Sequence, residues 1–175
     1  MKKAVLFFLC LWLVPVSAHA QGAAPEMFGI NEVVIEYARF DDPDAAETCG
    51  LSRDEIAGVL IKTLVGSAVP AVAVVDAKPV AVGTARIQLI PEVSSYVDEG
   101  LGCVSWVSLT AQNHAKVVIM PINTLRSITA VYWQQHVKVG SGQSVHGQKV
   151  DEAIQKMAQK FLQQYKLDQP PEIQQ

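Results

Sequence analysis

Apolar positions in this chain fall into two periods, and the order in which these follow one another predicts the fold. Over 30–40, Val33, Ile35 and Tyr37 point one way while Val34, Ala38 and Phe40 point the other, a period of two with apolar residues on both sides. Such a pattern predicts a strand buried at least partly on both faces. Over 49–65 the period becomes helical. Ile56, Val59, Leu60 and Leu64 share a face, Ala57 and Ile61 stand beside them, and Gly66 ends the run. Ser52 followed three residues later by Glu55 fits a capping box, and Leu51 with Ile56 fits a hydrophobic staple over that start. A helix this apolar must be buried, and Cys49 stands at its entrance.

Beyond Gly66 the period returns to two, in short segments punctuated by Pro and Gly. Residues 71–75 and 80–82 read as one irregular strand broken at Asp76-Ala77-Lys78-Pro79. Over 84–97, Ala85, Ile87 and Leu89 alternate with Arg86 and Gln88, and Asp98-Glu99-Gly100-Leu101-Gly102 supplies turn chemistry. Over 103–112, Cys103, Ser105, Val107, Leu109 and Ala111 face one way and Val104, Trp106, Ser108 and Thr110 the other, so these two strands are expected to form an antiparallel hairpin. Asn113-His114 is expected to be a tight turn, 116–120 a short strand and Pro121-Ile122-Asn123 a break. The last long strand is expected over 127–139, with Ile128, Ala130, Tyr132 and Gln134 alternating against Thr129, Val131, Trp133 and Gln135. The small-residue stretch from Gly140 to Gly147 reads as a flexible loop. A second helix follows over 148–166, where Val150, Ile154, Met157, Phe161 and Tyr165 recur at helical spacing and Lys, Asp, Glu and Gln occupy the other side. The polar face is mixed rather than basic, so packing on the domain's own sheet is expected, not a membrane surface.

Residues 1–20 change the picture, because they read as an export signal. Lys2 and Lys3 precede an apolar run, Pro15 breaks it, and Ala18-His19-Ala20 puts small residues where signal peptidase inspects them. Cleavage after Ala20 is expected, into the periplasm or the medium. The run is well under the roughly 20 residues that span a bilayer, and no later stretch of the mature chain reaches that length. Cys10 lies in the leader behind Phe7-Phe8-Leu9, where a lipidation site would need small residues. Losing Lys2 and Lys3 takes Lys plus Arg from 14 to 12 against 17 acidic residues, so formal charge moves from −3 to −5. A mildly acidic chain with no basic block argues against nucleic acid as a partner. Residues 21–28 form a flexible lead-in, 29–167 a single domain, and 168–175 a polar tail.

Cleavage also leaves two cysteines, Cys49 and Cys103. In an oxidising compartment an even pair is most simply a disulfide, and neither Cys sits in the Cys-x-x-Cys spacing of redox and zinc sites. With Cys103 on the same strand face as Val107 and Leu109, the bridge would pin the first helix to the sheet.

The chemistry of catalysis finds little support. The stretch Gly140-Ser141-Gly142-Gln143-Ser144-Val145-His146-Gly147-Gln148-Lys149 follows a strand and opens a helix, the setting of phosphate-cradling loops. Gln148 separates Gly147 from Lys149, however, and Val150 stands where a magnesium-binding hydroxyl would follow. The dinucleotide pattern fails too, because its third glycine would fall at Val145. Asp41-Asp42-Pro43-Asp44 lacks the ligand alternation and central Gly of a calcium loop and reads as a solvated turn. His114, His136 and His146 show no metal-site spacing, and Ser144 with His146 sits in no strained nucleophile elbow. Glu92, Asp98 and Glu99 read as solvated carboxylates near a turn. No metal, cofactor or catalytic residue is assigned, so the chain is expected not to be an enzyme; hydrolysis is the remote alternative.

The element order predicts an α+β two-layer sandwich, with a mainly antiparallel sheet of about 4–6 strands and two helices on one face. An outer-membrane barrel is disfavoured by both helices. The order of elements resembles that of small envelope-assembly domains, such as those of the lipopolysaccharide-assembly and Tol-Pal systems, without a shared motif. With Trp106 facing away from Cys103, an exposed aromatic surface that could include Tyr132 and Trp133 is the candidate contact site, for another envelope protein. A small-ligand carrier with a pocket between sheet and helices is the alternative.

Overall fold

The computed structural model describes residues 27, 29–67, 69, 72–75, 85–100, 102–119 and 121–169, with the backbone alone at 73–75 and 115–119. The expected leader, most of the expected lead-in, the segment expected as a strand at 80–82, and most of the expected tail lie outside these residues. The chain forms β1 (Glu32–Glu36), β2 (Arg39–Phe40), α1 (Pro43–Thr48), α2 (Arg53–Leu64), β3 (Val72–Val75), β4 (Arg86–Asp98), β5 (Gly102–Ile119), β6 (Thr124–Ser141) and α3 (Gln143–Asp168). This is the expected α+β fold. Five strands lie in the order β3, β1, β4, β5, β6, and the two-residue β2 pairs with β4.

The sheet is antiparallel across β4, β5 and β6 and parallel where β1 meets β3 and β4. The parallel part follows from the connection: α1 and α2 intervene between β1 and β3, and a helical crossover returns the chain in the same direction. At the other side, Asp98 to Gly102 turns tightly and forces an antiparallel pair. Gly102 has φ 85 there, and a Cβ on it would meet the Ser141 carbonyl oxygen at 2.8 Å, so a side chain would be strained twice over.

α2 starts as its residues require. Ser52 Oγ accepts the amide of Glu55 at 3.4 Å, and Leu51 and Ile56 are both buried in the core. Ile56, Ala57, Leu60 and Leu64 face the core, and Gly66, at φ 78, lets the chain leave. A short helix not expected from the pattern precedes it. Asp42 Oδ1 accepts the Ala45 amide at 2.9 Å and Pro43 stands at the first turn, so the acidic punctuation at 41–44 starts α1.

The core lies between the helices and one face of the sheet. Ile87, Leu89 and Val93 of β4 and Val107, Leu109 and Ala111 of β5 meet Ile56, Leu60 and Leu64 of α2 and Val150, Ile154, Met157 and Phe161 of α3. The core also takes in residues at the domain's expected edges. Met27, from the lead-in, is buried, and its amide donates to the carboxylate of buried Asp168 at 3.3 Å. Tyr165 Oη donates to the Ile30 carbonyl at 2.6 Å. The two ends of the domain thus close on each other beneath α3.

Two local expectations are replaced. Asn113-His114 is not a turn: β5 runs straight through it, because Asn113 Nδ2 donates to the Arg86 carbonyl at 2.8 Å while its Oδ1 accepts the His114 amide at 2.7 Å. The reversal comes at 121–123, where Asn123 takes φ 50. The stretch from Gly140 to Gly147 is not a loop either. β6 continues to Ser141 and α3 begins at Gln143, leaving Gly142 as the cap. Gly147 serves a close approach inside α3: a Cβ on it would collide with the Gly50 carbonyl oxygen.

Candidate functional site

The β5–β6 hairpin organises every candidate surface, so its two ends define the site. At the near end Cys103, on the helix-facing side of β5, is bonded to Cys49, with Cα atoms 5.7 Å apart. The expected disulfide is present. It joins the junction of α1 and α2 to the sheet, and Gln143 Nε2 adds a bond to the Thr48 carbonyl at 2.6 Å.

Beside the bridge lies a buried polar chain that sequence reasoning did not find. Ser105 Oγ is 2.6 Å from Ser95 Oγ and 2.8 Å from His146 Nε2, and His146 Nδ1 is 2.8 Å from Ser141 Oγ. Each imidazole nitrogen therefore has a hydroxyl partner, which a neutral ring satisfies with one donor and one acceptor. Burial pushes the His146 pKa below its ordinary value. A nucleophile-and-base pair shares this geometry, but His146 and Ser105 are both fully buried, and among the described residues both ring nitrogens of His146 meet serines rather than a carboxylate. One signal pointed here: Ser105 is polar on a face otherwise made of Cys103, Val107 and Leu109.

Among the described residues, the core shared with the helices takes in the Cys103 face of β5 and not the opposite one. Register sets Ser94, Trp106 and Lys138 in one row, with Glu92, Ser108 and His136 in the next. Trp106 is 52% exposed, as its alternation from Cys103 predicts, and the Lys138 ammonium lies 5.5 Å from its ring centroid. Tyr96, diagonal to Trp106 across β4 and β5, is also exposed, and Val104 between them is buried. Tyr132 and Trp133 are not brought to this surface. Both are half-buried against the helix-side core, and Trp133 meets Phe161 edge-on with ring centroids 5.6 Å apart. The reason is a β-bulge: Ala111 pairs with Trp133 but Gln112 with Val131, so Tyr132 is an extra residue and strict alternation stops there.

Beyond the bulge the hairpin leaves the sheet. β4 pairs with β5 no further than Gln112, so among the described residues 113–119 and 124–130 form a two-stranded ribbon about 20 Å long. Ile122 (64%), Leu125 (57%), Ile128 (43%) and Val131 (54%) are exposed along it. Among the described residues no group of His, Cys, Asp and Glu could hold a metal ion, and no helix is long and apolar enough to cross a membrane.

No known protein family matches the chain, and no curated protein is significantly similar to it. Among solved structures, the crystal structure of a neuraminyllactose-binding hemagglutinin homolog from Helicobacter pylori is similar over 76% of this chain and 79% of that one, at 10% identity and a TM-score of 0.26. A likeness so remote carries no functional weight.

Proposed function

We propose that the mature chain is a non-enzymatic, exported binding or envelope-assembly module that engages a partner protein through the β5–β6 ribbon and the adjoining face around Trp106. The observation that carries this reading is the ribbon itself. A two-stranded ribbon has no core of its own, and four large apolar side chains in water along about 20 Å of it are a cost that a partner surface removes. Tyr96 and Trp106 extend the apolar surface on to the sheet, where aromatic residues are favoured interface anchors. The space between sheet and helices is filled by the core side chains, which weighs against a ligand carrier with its pocket there. Full burial of His146 and Ser105 weighs likewise against hydrolysis.

Site-specific photocrosslinking in the envelope of cells producing the protein tests this. A probe at Ile128 is expected to give a discrete protein adduct, whereas a probe at exposed Asp54 on α2 is expected to give none. Failure of the Ile128 probe, together with a small molecule that copurifies with the protein, would overturn the reading.

A further inference from the structure

A second surface runs along the outer edge of β6, where a groove of about 440 Å³ separates that strand from α3. Its floor is apolar, built from Val137 and Val139 of β6 and the buried Met157 of α3. Its α3 wall is cationic. Lys149, Lys156 and Lys160 line it against the single carboxylate of Glu152, which Lys149 meets at 3.0 Å. This wall reverses the sign of a chain whose formal net charge is −3.

The edge beside it is unusual for a protein in water. β6 ends the strand order among the described residues, so its outer backbone groups face the groove side without a strand partner. Natural edges carry charges or proline to prevent pairing. From Ser127 to Val137, β6 has neither, and Lys138, the charge that β6 itself places beside the groove, holds its ammonium over Trp106 on the other face.

We propose that this groove binds an extended acidic segment of a partner protein, added as a strand to the outer edge of β6 with its alternate carboxylates facing α3. The spacing fits. Rise along α3 puts Lys156 about 6 Å from Lys160 and about 10 Å from Lys149, while alternate residues of a strand repeat at about 6.8 Å. Glutamates at three alternate positions therefore span about 14 Å against about 16 Å of lysines. Their methylenes lie on Val137, Val139 and Met157, and their backbone pairs with β6. A bilayer of anionic lipid is disfavoured, since a flat surface does not enter the groove and offers no strand to the edge. This site does not rest on the β5–β6 ribbon.

The test is fluorescence anisotropy of a labelled Glu-Val-Glu-Thr-Glu-Val-Glu peptide against the mature protein. Saturable binding is expected, weakened about tenfold by combining Lys156→Gln with Lys160→Gln, since exposed pairs are individually weak. The Ile128→Asp variant, which cripples the ribbon, is expected to bind as tightly as wild type. Methylating alternate peptide amides, which keeps the charge and blocks strand pairing, is expected to abolish binding. The two lysines are exposed, so unchanged circular dichroism of each single Gln variant is the folding control. No saturable binding, indifference to the lysine changes, or equal binding of the methylated peptide would each overturn the proposal. So would lysine-dependent capture by phosphatidylglycerol vesicles without capture of the peptide.

Discussion

The two ends of the β5–β6 hairpin are held in opposite ways. At the near end, β5 has β4 on one side and β6 on the other, Cys103 is bonded to Cys49, and His146 joins Ser105 to Ser141. At the far end, among the described residues, the strands have only each other, and residues 121–123 between them are exposed. One end is fixed in every direction and the other is offered to solvent. Stability is concentrated where covalent, packing and polar contacts coincide, while the apolar side chains that add least to the monomer are those left for a partner.

Changes at the near end should therefore unfold the protein, and changes at the far end should not. The largest effect is expected from replacing both Cys49 and Cys103 by Ser. With a sequence separation of 54, the bridge contributes about 4 kcal/mol in the chain-entropy model. Thermal melting under oxidising conditions should fall by roughly 10 °C, and an unchanged midpoint would remove the bridge from the comparison.

Gly147→Ala comes next. The new methyl would meet backbone, the Gly50 carbonyl, which cannot swing aside, so a loss of about 1–3 kcal/mol is expected in urea unfolding. His146→Ala should cost about 1–2 kcal/mol, since Ser141 loses its imidazole partner and Ser105 keeps only Ser95. The imidazole also sets a pH dependence. Because burial lowers its pKa in the fold, the unfolded chain takes up a proton more readily below about pH 6.5. Stability present above that pH should be lost as pH falls, and His146→Gln should flatten the urea midpoint between pH 7.5 and about 5.5. Equal slopes in the two proteins would mean that the ring is already solvated.

The smaller effects sharpen the contrast. Burial first, and Glu55 second, raise the Asp151 pKa, so Asp151→Asn should stabilise the neutral-pH fold by a few tenths of a kcal/mol. Ile128→Asp should leave the urea midpoint within about 0.5 kcal/mol of wild type while removing the protein adduct of a probe placed at exposed Leu125. A loss above about 1 kcal/mol there would show that the ribbon packs on its own domain, and the comparison would fail.

Much of this was legible in the residues. Ser52, Glu55 and the 3.6-residue period gave α2, because capping and amphipathicity act within a few residues of chain. Counting cysteines outside the leader expected at 1–20 paired Cys49 with Cys103, and alternation from Cys103 placed Trp106 outside. What failed did so for one reason. Turn propensity at Asn113 lost to a hydrogen bond that its side chain donates to a strand distant in sequence, and Gly147 serves a close approach to Gly50. The face of Tyr132 and Trp133 depended on a bulge that exists only once β6 is paired. Local periods determined which elements form and which faces are apolar. The assembled sheet alone decided that Ser105 and His146 meet, that the far hairpin is left bare, and that three lysines line an open strand edge. Ser105 and His146 stand 41 residues apart, and the groove sets a strand against a helix, so only folding fixes these distances.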